Sequence, residues 1–136
     1  MNEPNPKLMD VIFLAIDHGI ESVRSGGGPL IPFVVTEGPK RELNRFALER
    51  LEEGVAKARD FVEKAGSEIT FYAIAHDGFL TVEGNKFDAS LVEGGERRAP
   101  KALLFAQRYE PPKGFYSKFK TIGNPAFTGE AENRLK

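Results

Sequence analysis

At 136 residues, the chain has the length of one domain with room for one hydrophobic core. Its 19 basic and 20 acidic residues leave a net charge of -1, without the basic excess of a general nucleic-acid binder. There is no cysteine, which excludes disulfides, thiol catalysis and thiolate-bound zinc.

The polar lead-in Met1 to Pro6 has no basic leader region, and the apolar run from Leu8 to Ile16 is too short to cross a bilayer. A soluble cytoplasmic protein with no membrane partner is expected. Met9, Ile12, Phe13, Ile16, Ile20 and Val23 recur at helical spacing, which predicts a first helix from about Pro6 to Arg24, stopped at Gly26. Val11, Leu14 and Ala15 widen its apolar surface beyond one stripe, and such a helix is usually covered on more than one side. A second subunit is the expected cover, giving a homodimer through helix 1.

Leu30 to Thr36 reads as a strand. Both of its alternating sets are apolar, which suits an interior strand or one covered on both faces, while Pro32 pulls toward an edge. Gly38-Pro39 predicts the start of a long helix reaching Ala65, with Leu43, Ala47, Leu51, Gly54, Ala58, Phe61 and Ala65 on one face. Gly54 in that stripe predicts close approach to the sheet. Three strands follow, at about Ile69–His76, Phe79–Glu83 and Lys86–Val92, then a polar loop over Gly94–Pro100 and a fifth strand over Lys101–Tyr109. The C-terminal segment 113–136 is expected to be irregular yet packed on the body through Phe115, Phe119 and Phe127, with its last few residues frayed. The order α-β-α-β-β-β-β predicts a single α+β domain over 1–136. Its sheet is mixed, mainly antiparallel and five-stranded, with two helices packed on one face.

Asp77-Gly78 and Gly84-Asn85 have the composition of two-residue hairpin turns. Counting from them sets Thr81 between Ile74 and Asp88, and Glu83 opposite Lys86. Tyr72, His76, Thr81, Glu83, Lys86, Asp88 and Ser90 then share a polar face, while Phe71, Val82 and Phe87 are buried together on the other.

That polar face is the candidate site. His76 is placed as a general base with Glu83 or Asp88 as a second acid or base, and Tyr72, Thr81 and Arg108 as ligand-binding groups. The competing reading is a wet sheet face, common in antiparallel sheets. Two histidines without an H-x-x-x-H or H-E-x-x-H spacing predict no metal site, and the absence of a Walker or G-x-S-x-G pattern gives no cofactor. Gly38 to Arg41 is a weaker anion site at a helix start, and Lys113 to Lys120 a weaker single-stranded nucleic-acid segment. The sequence favours a small binding or assembly domain without a clear catalytic signature, homodimeric, with a small-molecule or protein ligand. The alternative is a small cofactor-independent enzyme using the polar face around His76, Glu83 and Asp88.

Overall fold

Leu8, Val11, Ile12, Ala15, Ile16, Gly19, Ile20 and Val23 fall every three or four residues, and the helix they form, α1 (Pro6–Gly26), buries all of them. The computed structural model describes residues 3–26, 29–112 and 118–136. The fold is α+β. Among the described residues six strands make one sheet: β1 (Phe33–Glu37), β2 (Arg41–Arg45), β3 (Phe71–Val82), β4 (Asn85–Glu96), β5 (Lys101–Glu110) and β6 (Lys120–Glu132). A second helix, α2 (Leu51–Glu63), connects β2 to β3, and the strand order is β2-β1-β3-β4-β5-β6. Every neighbouring pair is antiparallel, so the sheet is neither mixed nor five-stranded.

The first departure from expectation is the long helix from Pro39. Residues 41–45 instead form β2, because Gly38-Pro39-Lys40 closes a hairpin that sets Arg41 opposite Glu37. The Gly38 N–H donates to the Lys40 carbonyl at 3.2 Å, and the Arg41 guanidinium pairs with Glu37 at 2.6 Å. The anion site expected at Gly38–Arg41 therefore has no helix N-terminus behind it. Gly54 does mark a close approach, but to the chain beside β1: a Cβ there would sit 2.5 Å from the Phe46 carbonyl oxygen.

The second is the register. β3 runs straight through Asp77-Gly78. A Cβ on Gly78 would lie 2.5 Å from Leu91 Cδ1, so this glycine makes room for a side chain lying over it rather than for a turn. The turn is Glu83-Gly84, one residue earlier than Gly84-Asn85. Both residues have positive φ (51° and 83°), as a type I′ turn requires, and Val82 faces Asn85. Thr81 consequently faces Lys86, not Asp88.

The third concerns layers. Side chains alternate across a strand. Phe33, Val35, Phe71, Ala73, Ala75 and Val92 pack with α1, whereas Val34, Tyr72, Ile74 and Ala102 pack with Ala58 and Val62 of α2 and with Leu135. The helices thus lie on opposite faces of the sheet, not on one. Phe71 sits on the α1 side while Val82 and Phe87 sit on the α2 side. Val11 and Ala15, whose cover was expected from a second subunit, are fully buried by the chain's own sheet. Only Met9, Phe13 and Leu14 remain partly or largely outside.

The C-terminal segment is a strand rather than irregular. Gly123, Asn124 and Pro125 stand opposite Gln107 in a break of register, and the Gln107 amide donates to the Ile122 and Gly123 carbonyls at 3.3 and 3.2 Å. Phe127 is 57% exposed, contrary to expectation, because β6 is an edge strand. Phe119 is half-buried and stacks on Tyr109, and Phe115 lies outside the described residues. The chain end does not fray: Leu135 is buried and Asn133 donates to the carbonyls of Glu96 and Ala99, both at 2.7 Å.

Candidate functional site

The register divides the expected polar face in two. Tyr72, His76 and Arg108 lie on the α2 side, whereas Thr81, Lys86, Asp88 and Ser90 lie on the α1 side. Glu83 occupies the exposed turn. Tyr72 is inaccessible to a ligand. Its hydroxyl donates to Glu93 Oε2 at 2.6 Å, and the same oxygen accepts from Arg134 Nε at 2.8 Å. Arg134 also pairs with Glu63 of α2 at 3.1 Å, so this buried group ties the chain end, α2 and the sheet together. Burial, followed by the neighbouring Glu93 carboxylate, raises the Tyr72 phenol well above its ordinary value.

On the α2 side the helix covers only part of the sheet. It packs on β1 and β3, leaving Leu80, Val82, Phe87, Leu91, Leu104 and Ile122 half-buried along β3 to β6. Arg108, a cation planted among them, lays its guanidinium 4.9 Å from the centre of the Phe87 ring. Where α2 meets this floor there are two adjoining hollows. One, of about 310 Å³, is lined by Leu51, Glu52, Val55, Arg59, His76 and Asp77. The other, of about 260 Å³, includes Arg59, His76, Leu91, Glu93, Leu104 and Thr128. Arg59 and His76 belong to both.

His76 is held in the groove by its Nδ1, which donates to the Asp77 carbonyl at 3.2 Å. Nε2 has no protein partner among the described residues. Burial pushes the imidazole below its ordinary value, the Asp77 carbonyl opposes that, and the Arg59 charge adds to it. His76 is thus a neutral base at neutral pH. Sequence reasoning missed Arg59, Glu93 and Thr128. Arg59 falls in a helix whose sheet neighbour the sequence does not give, Glu93 just past a strand expected to end at Val92, and Thr128 in a segment expected to be irregular.

On the α1 side, Tyr109 donates to Asp77 at 2.7 Å beneath the C-terminal half of α1. Burial raises the Asp77 carboxyl, and nearby Asp88 pushes the same way. Ser90 is fully buried, under Gly19 of α1, and its hydroxyl has no partner among the described residues. These residues are packed beneath the helix, and Thr81 is exposed beyond them. A third hollow, of about 670 Å³, lies at the opposite end of the sheet between Lys7, Asp10, Glu37, Arg41 and Glu96. Its Arg41 and Glu37 already pair with each other. Among the described residues no cluster of three or more His, Asp or Glu side chains is placed to hold a metal ion. No described helix is long and apolar enough to cross a membrane.

No protein-family model, curated protein or solved structure matches the chain.

Proposed function

We propose that this chain is a binding domain for an apolar ligand, seated in the groove between α2 and the sheet. The observation that carries this reading is the apolar floor from Leu91 and Leu104 to Phe87 and Ile122, which opens from the two hollows around His76. Pockets of this kind are mostly apolar with a few converging polar groups. Both sheet edges are poorly suited to recognition by strand addition. β2 carries Arg41, Glu42 and Arg45, and β6 is interrupted at Gly123–Pro125. The sheet face is the better surface.

The test is a titration with Nile red, an uncharged apolar dye. Saturable fluorescence gain is expected, together with its loss in Leu104→Glu, whose circular dichroism should match the parent. Absence of saturable uptake by the parent overturns the reading.

A second reading, a cofactor-independent enzyme, draws on the neutral imidazole of His76 with its unpaired Nε2. In that reading Glu93, not Asp88 or Glu83, is the neighbouring carboxylate, since Asp88 is on the other face and Glu83 is in the turn. His76→Ala would then abolish turnover while leaving dye uptake in place.

A further inference from the structure

Arg59 and Arg108 are both cations of this groove; Arg108 lies over the Phe87 ring and lines neither hollow, whereas Arg59 lines both. Glu93 is taken by Tyr72 and Arg134, Glu63 by Arg134, Asp60 by Lys64 and Asp77 by Tyr109. Glu52 has its contact with Arg50, at 4.0 Å. Arg59 itself has no ion-pair or hydrogen-bond partner among the described residues, although it lines both hollows. A cation held beside carboxylates that are all engaged elsewhere is left to pair with an anion from outside.

We infer that the groove takes an apolar monocarboxylate, with Arg59 seating the carboxylate and the sheet face from Leu91 to Phe87 receiving the apolar body. This rests on the binding reading above and names its ligand class. A guanidinium presents a planar fork that matches a carboxylate with two parallel hydrogen bonds. Thr128, lining the same hollow, adds a hydroxyl donor. Among the described residues that line the two hollows Arg59 is the one arginine or lysine, and a single guanidinium there answers one negative charge, which favours a carboxylate over a doubly charged phosphate. The floor runs four residues along β4 from Leu91 to Phe87, roughly 13 Å at strand spacing, which accommodates a medium-length acyl chain. The order of groups is then head at Arg59, body over Leu91, Leu104 and Ala106, and end near Phe87 and Ile122.

Displacement of Nile red by decanoate, decanol and decylamine tests it, in the parent and in Arg59→Gln. Arg59 is exposed, so the variant is expected to fold normally. In the parent, decanoate should bind about tenfold or more tightly than decanol, the gain of a charge-assisted hydrogen-bonded pair, and decylamine most weakly. In Arg59→Gln the preference for decanoate over decanol should vanish. Equal binding of decanoate and decanol by the parent overturns the inference, as does a preference that survives in the variant or a failure of all three to displace bound dye. Each of those outcomes leaves the binding reading standing. Failure of the dye itself to bind removes both.

Discussion

From Phe71 to Ala75, β3 is buried on both sides, by α1 on one and by α2 and the chain end on the other; from His76 to Val82 its side chains are half-buried or exposed. The first half is a core shared by two layers of helix, held by the Tyr72–Glu93–Arg134 group. The second half projects past the cover of α2, and its Leu80 and Val82 side chains face an open groove. One strand thus serves two ends. The half that is covered twice fixes the sheet in place, and the half that is covered once has surface left to bind with.

Loosening the covered half has the largest effect on the fold. Removing residues 133–136 takes away buried Leu135 and leaves the Glu93 carboxylate, accessible to only 10%, without its arginine. A loss of about 3–5 kcal/mol is expected from the stranded buried charge together with the lost apolar burial. Urea unfolding measures it. Tyr72→Phe, which keeps the ring and drops one hydrogen bond, should cost about 1–2 kcal/mol. A truncated chain as stable as the parent would mean that the chain end is not part of this core.

Assembly sharpens the same contrast. Any interface built on α1 has to use what the sheet does not cover, namely Met9, Phe13 and Leu14. Phe13 is 42% exposed and meets the edge of Phe105, which meets Phe127. A dimer through this aromatic row is expected by light scattering at micromolar concentration, with Phe13→Glu weakening it tenfold or more. A parent protein that is monomeric there removes helix 1 as an interface.

Acid should act through the open half. The folded-state value of His76 lies below its ordinary 6.5, so the stability tied to its neutral form is complete above that pH and lost as the pH falls through the lowered value. His18 shifts the same way, through burial first and the Arg45 charge second, while its Nε2 meets the Arg45 guanidinium at 2.9 Å. Asp77 runs opposite. Its raised carboxyl favours the fold at low pH, and that contribution is lost as the pH rises through the raised value. Between pH 7 and 5 the Tm of the parent should fall, less so in His76→Gln, and least in the double variant with His18→Gln. Identical slopes in all three would show that neither imidazole is buried as described.

Several of these features were legible in the residues. The span of α1, the existence of β1, β4 and β5, and the two-sided cover of β1 all follow from apolar periodicity. Val34 and Val35 point opposite ways and are both fully buried. That pattern already implied a helix on each face, which the expectation of two helices on one face contradicted. β2 was hidden because Leu43 and Ala47 continue the spacing of α2, and because a proline after glycine opens a helix as readily as it closes a hairpin. β6 was hidden by Gly123, Pro125 and Gly129, which interrupt alternation for the sake of an edge. At the candidate site, His76 was visible as a base on a strand, but its neighbours were not. Asp77-Gly78 resembles a turn by composition, and only the side chain of Leu91 lying over Gly78 shows why a glycine belongs inside the strand. Misplacing that turn reverses every face assignment beyond it.

The smallest effect tests that register directly. Glu83 occupies the left-handed region at φ 51°, where a glutamate is disfavoured and an asparagine is tolerated. Glu83→Asn converts Glu-Gly into the Asn-Gly pair preferred for a type I′ turn and should stabilise the protein by about 0.5–1 kcal/mol. Gly84→Ala, at φ 83°, should cost a comparable amount. Were the turn instead Gly84-Asn85, residue 83 would be in the strand, where asparagine is a poor choice, and the same substitution would destabilise. The sign of one small change in urea midpoint therefore decides the register. With it goes the pairing of Thr81 with Lys86 rather than with Asp88, and of Leu80 with Phe87.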